Sequence, residues 1–446
     1  MSAPLYHFRS MKRSPLPQLP LAGASFGTKI VMIFLFAGMV QLAVGWISLF
    51  RPSVLSLDWD EGEYWMLSSQ ILAGVPMELG RRTVAYPLFL AGLRSISDNL
   101  WFVQSAIAVA AATAPPLLAI LVMKLMRSET AAVLAGLALA IWPAQVFYGT
   151  SLYSETIALP VFLVFLILLP MDCEGPQQRA SWPWWVVAGL ALGITAHVRP
   201  MYELFLGVLP FVLWLDSRGL RATMVRFALL LAGFALVVAP WSIYVSREIG
   251  SPTLLTANGG ETFAGGLNPQ LIKQGERSRV LLKRVTWDGP GKWLPRYDTG
   301  FLTKAEQALP YGQQDRLLQA RTVAWIRDNP GDAAYLTLRK LSYMWGIYPF
   351  AGNGWPQAAF GNLPIIVLSL LFAVALWTAA KIRHRGARLY LLPLFVTGVA
   401  LISWGSWRFR LPADAGMIGV VASWLAAKTD ANANSPLPKV LRCSIS

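Results

Sequence analysis

Apolar runs long enough to cross a bilayer recur along most of the chain, near residues 30–50, 100–126, 131–147, 157–169, 184–196, 202–215, 225–245, 363–380, 389–404 and 413–427. A helix needs roughly 17 to 25 such residues to cross about 30 Å of hydrocarbon. The chain therefore reads as an all-α polytopic membrane protein of about ten or eleven helices, several of them short or interrupted by Pro. Composition agrees. Of 446 residues, 55% are hydrophobic, 14% are charged and 19 are Trp, and the mean hydropathy is +0.49, outside the range of soluble globular domains.

Lys and Arg in short loops set the orientation, because cytoplasmic loops retain an excess of them. Arg9, Lys12 and Arg13, then Lys124 and Arg127, Arg218 and Arg221, the basic stretch 381–388, and Lys428, Lys439 and Arg442 alternate onto one side. Both termini are expected in the cytoplasm. The first span is expected to be retained, since it is too long and too far from the N-terminus for a cleaved signal. The expected organisation is a cytoplasmic tail (1–28), an N-terminal transmembrane module (29–245) with a first outer loop (51–99), a small mixed α/β outer segment (246–340), a C-terminal transmembrane module (341–427) and a second cytoplasmic tail (428–446). Residues 335–350, apolar but carrying Arg339 and Lys340, read either as an interfacial helix or as a short extra span. Cys173 and Cys443 fall in loops assigned to the cytoplasm, so no disulfide is expected. Two isolated thiols with His7, His197 and His384 do not suggest a zinc site.

Against a formal charge of +15, the first outer loop carries Asp58-Trp59-Asp60-Glu61-Gly62-Glu63-Tyr64-Trp65. Carboxylates that dense beside lipid must cap a helix, bind a cation or do acid/base chemistry. Asp58 followed by Glu61 has the spacing of a helix N-cap with an acidic third residue, and Tyr64 and Trp65 suit the headgroup level of an interfacial helix. Asp60 and Glu61 are then left for catalysis, or else for compensating the helix dipole. Other candidates occupy the same membrane side: Arg81 and Arg82, which suit phosphate or, equally, lipid headgroups and Glu78; Glu155, a site residue or a plain helix cap; Arg199 beside a packing His197; and Arg408 and Arg410 at the last outer turn. The Gly-rich stretch from Asn258 lacks the Lys-Ser/Thr ending of a P-loop and does not follow a soluble strand, which argues against nucleotide binding.

In order, Asp60-Glu61 with Tyr64, the Tyr86-Pro87-Leu88 opening of the second span, Ser154-Glu155, Arg199-Pro200, Pro240-Trp241 leading to Asn258-Gly259-Gly260, and Arg408 to Pro412 resemble the GT-C glycosyltransferases. The resemblance spans roughly residues 30–427 and is strongest to the bacterial branch related to protein O-mannosyltransferases and the lipid A aminoarabinose transferase. It implies an inverting hexosyl- or pentosyltransferase of the bacterial inner membrane, with its site facing the periplasm or exterior and a polyprenyl-phosphate-sugar donor. On that pattern Asp60 is the general base and Glu61 shapes the pocket. Tyr64, Tyr86, Glu155 and Asn258 line it, and Arg81, Arg82, Arg199, Arg408 and Arg410 are candidate phosphate partners. The acceptor would be a glycolipid, polysaccharide or protein hydroxyl, with membrane lipid as a further partner and no nucleic acid. No cofactor is required, although the extra acids Asp58 and Glu63 depart from the pattern and leave room for a divalent cation near Asp60 or Glu155. The chemistry is compatible: a lipid phosphate is already a good leaving group, so one carboxylate and a few Arg suffice. A flippase for lipid-linked sugars and a non-catalytic envelope-assembly subunit are the rival readings. The former should show paired halves or midplane charges, and neither is evident in the sequence.

Overall fold

The computed structural model describes residues 24–49, 60–77, 79–171, 181–217, 219–277, 294–346, 363–378, 386–403 and 405–432. Asp58, Glu78, His7, His384 and both cysteines lie outside them, and with them the expected Asp58 cap. All regular structure among the described residues is helical.

The first run forms α1 (Phe26–Leu49). The stretch expected as the first outer loop contains α2 (Asp60–Leu72) and α3 (Ala85–Ile96), which pack on each other. Tyr86-Pro87-Leu88 thus opens an amphipathic helix of the loop itself and not the second span. Tyr64 and Trp65 both make protein contacts. Tyr64 is buried, and Trp65 lies 3.9 Å under the Arg94 guanidinium of α3, whose Nη1 also donates to Trp65 O, Ser68 Oγ and Ser69 Oγ.

The 100–126 run folds as α4 (Leu100–Ala111) and α5 (Ala114–Met126), separated just before Pro115 and Pro116. In the next run Pro143 supplies no amide donor, and α6 (Glu129–Ala140) meets α7 (Pro143–Gly149) at a 57° bend. There follow α8 (Glu155–Leu168), α9 (Trp182–Val198), a 3-10 turn (Pro200–Gly207), α10 (Leu209–Ser217) and the 30-residue α11 (Leu220–Ile249). By length and apolarity α1, the Leu100–Met126 unit and α11 can each cross a membrane, and the bent α6–α7 pair passes the same test only if its two helices form one span. The remaining apolar helices are shorter.

The outer segment, expected to be mixed, holds α12 (Gly259–Gly266), α13 (Pro269–Arg277), α14 (Tyr311–Asp328) and the beginning of α15 (Pro330–Met344), with no strand among its described residues. Its apolar residues serve helix contacts: Ala264 of α12 packs with Leu318 of α14, and Trp325 touches both buried clusters. The Gly-rich stretch forms a helix despite poor propensity because Asp315 of α14 accepts the amides of Gly260 (3.0 Å) and Glu261 (2.8 Å). Only glycine fits at position 260, where a Cβ would lie 2.0 Å from the Asp315 carbonyl oxygen. The segment at 335–350 enters α15, whose 15 residues fall short of a span. The chain ends with α16 (Leu363–Thr378), α17 (Ala387–Tyr390), α18 (Leu392–Ile402), a 3-10 turn (Trp407–Arg410) and α19 (Leu411–Asn432).

Two devices hold helix ends where a site can use them. Small residues let α9 and α11 approach closely, as in membrane helix pairs generally: a Cβ at Gly189 would lie 2.1 Å from Leu230 O, and one at Gly233 2.1 Å from Val186 O. At the end of α8 remote from Glu155, Lys124 donates to Leu169 O (3.1 Å), and Arg388 donates to Leu169 O (2.6 Å) and Pro170 O (2.5 Å), satisfying carbonyls a helix terminus leaves open.

Gly189→Val is expected to force α9 from α11 and cost about 1–3 kcal/mol or more, as overpacking against backbone does. Gly207→Ala, with nothing within 4 Å of an added Cβ, should stay within about 0.5 kcal/mol. Thermal unfolding of the detergent-solubilised protein distinguishes the two.

Candidate functional site

Elements far apart in sequence converge at one end of the helical body: the first turn of α2, the Arg81-Arg82 loop, the turn 150–155 leading into α8, Arg199 at the end of α9, and the 3-10 turn before α19. Asp60 is the first residue of α2. Its Oδ1 accepts from Arg82 Nη2 at 2.6 Å, and its Oδ2 accepts from Arg408 Nη2 at 2.7 Å. Glu63 lies three residues on, over the same face of the helix, and its Oε2 receives both Nε (3.0 Å) and Nη2 (2.7 Å) of Arg82. On the other side Arg408 Nε donates to Glu155 Oε1 at 2.5 Å, and Arg199 Nη1 reaches Glu155 Oε2 at 2.6 Å. The charges therefore alternate along one continuous path, Glu63, Arg82, Asp60, Arg408, Glu155, Arg199.

Hydroxyls and rings surround this path. Ser154 Oγ receives Arg199 Nη1 (2.9 Å) and the Tyr64 hydroxyl (3.1 Å). The Arg408 guanidinium sits 4.8 Å over the Tyr153 ring, and that of Arg82 sits 4.9 Å over the Tyr64 ring. Burial pushes the Asp60 pKa up, but the charges of Arg408 and Arg82 outweigh it and hold the carboxyl far below its usual range. Because the folded value is the lower one, this pairing contributes stability that is fully present above the unfolded value of about 4 and is lost as pH falls through the folded value. Asp60 is thus ionised at neutral pH with both oxygens occupied.

The path continues outward through Arg81, which lies 3.7 Å from Glu63 and 3.5 Å from Glu261 of α12. Glu261 is buried. It accepts from the Tyr311 hydroxyl at 2.7 Å and has Arg296 Nε at 3.5 Å, while the Arg296 guanidinium stacks 4.0 Å over the Tyr311 ring. Asn258 binds the other side of the same loop, its Nδ2 donating to Arg81 O at 3.1 Å.

Of the residues expected at the site, Asp60, Tyr64, Arg82, Glu155, Arg199 and Arg408 come together, and Arg81 and Asn258 border them. Glu61 and Tyr86 lie behind. Glu61 Oε1 accepts the Leu152 amide at 2.8 Å and so holds the 150–155 turn, and Tyr86 packs edge-on against Tyr64 with centroids 4.7 Å apart. Arg410 is directed elsewhere: its Nε donates to Asp414 Oδ1 (2.9 Å), its Nη1 donates to Met344 O, and Trp142 Nε1 holds the other Asp414 oxygen at 2.7 Å. Glu63 has a larger part than its sequence context suggested, though its spacing from Asp60 carried the signal. Glu261, Arg296 and Tyr311 had none, because only packing of the outer segment brings them near Arg81. Among the described residues no group of three or more His, Cys, Asp or Glu is arranged to hold a metal ion.

No protein-family profile matches the sequence, and no curated protein does. Among solved structures, the archaeal oligosaccharyltransferase AglB from Archaeoglobus fulgidus, in complex with an inhibitory peptide and a dolichol-phosphate, aligns with a TM-score of 0.52 at 13% identity, over 93% of this chain and 52% of its own. ArnT from Cupriavidus metallidurans, bound to undecaprenyl phosphate, aligns at 15% identity with a TM-score of 0.41, over 92% of this chain and 79% of its own. The present chain spans about half the length of the archaeal oligosaccharyltransferase. What is shared at this identity is the fold, and that fold is of the GT-C type.

Removing one partner of a buried ion pair leaves the other charge uncompensated, at a cost of about 3–5 kcal/mol. Arg410→Ala is accordingly expected to lower the melting temperature of the solubilised protein sharply, by stranding Asp414.

Proposed function

We propose that this protein is an inverting glycosyltransferase that moves a sugar from a polyprenyl-phosphate donor to a hydroxyl of an envelope acceptor on the outer face of the bacterial inner membrane. The observation that carries the reading is Asp60, a partly buried carboxylate held between the Arg82 and Arg408 guanidiniums at the end of an apolar helical body. Support comes from the GT-C fold and from the dolichol-phosphate and peptide bound by the archaeal oligosaccharyltransferase. A glycolipid, polysaccharide or protein hydroxyl fits the same chemistry, and the donor sugar is a hexose or pentose.

In the proposed reaction the acceptor oxygen attacks the anomeric carbon from the face opposite the lipid phosphate. The new C–O bond forms as the bond from the anomeric carbon to the phosphate oxygen breaks, and its electron pair leaves on the phosphate. The acceptor proton passes to Asp60. Arg82, Arg408 and Arg81 offer charge-assisted donors to the departing phosphate, whose charge grows in the transition state. Glu155 and Glu63 hold the arginines, and Glu61 holds the turn that carries Tyr153 to Glu155.

Asp60→Asn is expected to reduce transfer from a labelled polyprenyl-phosphate sugar in membrane vesicles by about 10²–10⁴-fold, the usual worth of a general base. Arg82 and Arg408 keep Glu63 and Glu155 as partners, so the variant should remain folded and inserted. Undiminished transfer by such protein would overturn the assignment. Arg81→Ala combined with Arg82→Ala should raise the KM for donor by about tenfold or more, with a smaller effect on the acceptor, as loss of charge-assisted bonds to phosphate predicts. Comparative mass spectrometry of envelope glycolipids and glycoproteins with and without the gene identifies the acceptor.

A further inference from the structure

Neither arginine on Asp60 depends on Asp60 for its position. Arg82 has a carboxylate of its own in Glu63, engaged by Nε and Nη2, and Arg408 has one in Glu155, engaged by Nε. Asp60 takes from each only a terminal nitrogen, Nη2 in both cases. Arg82 Nη2 serves Glu63 and Asp60 together, and Arg408 meets Glu155 through Nε and Asp60 through Nη2, so each guanidinium keeps a carboxylate of its own when Asp60 lets go. A phosphodiester presents anionic oxygens of the kind these Nη2 atoms already hold, and guanidinium forks match phosphate and carboxylate alike.

We propose that donor phosphate and Asp60 compete for the same Nη2 donors, so that arrival of the donor releases Asp60 to act as a base while Glu63 and Glu155 keep Arg82 and Arg408 in place. This rests on the functional reading above and adds an order to it, donor before acceptor. With each oxygen already engaged by a guanidinium, Asp60 has only the remaining lone pair of each oxygen for an acceptor hydroxyl, and the two positive charges depress its basicity. Transfer of those charges to phosphate removes both impediments. It also places them on the leaving group, where charge develops during the reaction. Glu63, unassigned by the sequence pattern, becomes a positioning residue. Without it Asp60 is the one carboxylate left to Arg82, which then closes on it with its full fork, and phosphate must break that pairing.

The test is equilibrium binding of a sugar-free polyprenyl monophosphate to the full chain in lipid nanodiscs, so that no turnover enters the readout. Asp60→Asn should bind it about tenfold more tightly than the wild type, because the competing anion is gone. Glu63→Ala should bind it about tenfold more weakly, and Glu63→Asp should recover most of that loss. If the wild type binds and Asp60→Asn binds equally or less tightly, the competition is wrong although the lipid-phosphate reading stands. If the wild type does not bind the lipid phosphate at all, the functional reading itself fails, a different outcome from the first. Should Asp60→Asn not insert, the Glu63 pair tests the same exchange from the arginine's side, and equal affinities for Glu63→Ala and wild type overturn it.

Discussion

A single carboxylate shared by two guanidiniums, Asp60 between Arg82 and Arg408, sets the demands that the surrounding structure meets. Arg408 is 348 residues away in sequence, so the contact exists only because α2 and the turn before α19 are brought to one place. Burying such a group is expensive, and breaking one member of a buried pair is more so. The helical body answers with alternating charges, each acid between cations and each central cation between acids. A chain of that kind is weak evidence for stability, since apolar replacements often do as well.

The placement of the site's arginines depends on how the helices end. α9 stops at Val198, two residues before Pro200, and Arg199 follows as its C-cap residue. At the other side Lys340 of α15 donates to Ser403 O at 2.7 Å, just beyond the end of α18, while Arg410 reaches back to Met344 O at the end of α15. These two contacts latch the turn carrying Arg408 to a helix that begins in the outer segment. Arg410 was expected beside Arg408 as a phosphate partner. Two residues further along, it reaches Asp414 in the first turn of α19, so it fastens the turn and does not serve the site.

Residues of one chemical type thus divide by geometry. Asp60, Glu61 and Glu63 lie within one helical turn, yet Asp60 and Glu63 share the face toward Arg82 whereas Glu61 points to the Leu152 amide. Arg81 and Arg82 are adjacent but face different acids. Arg82 turns inward to Asp60 and Glu63, and Arg81 bridges Glu63 to Glu261. Through Glu261, Arg296 and Tyr311 the outer segment touches the charge path itself, which gives that segment a structural connection to the center of the site.

Sequence by itself determined the membrane class, the helical content, the approximate runs and the residues with chemistry to offer. Each of these follows from local properties: apolar length against bilayer thickness, breaks at Pro143 and before Pro115, and the anomaly of acids in a basic chain. The order of short motifs was enough to anticipate the GT-C fold. Tertiary structure alone decided that the first outer loop packs as a helix pair, that the Gly-rich stretch is helical under Asp315, and which arginine meets which acid. Those outcomes depend on contacts between residues tens to hundreds of positions apart. Periodicity and propensity are blind to such contacts because their energies arise only once the helices have packed.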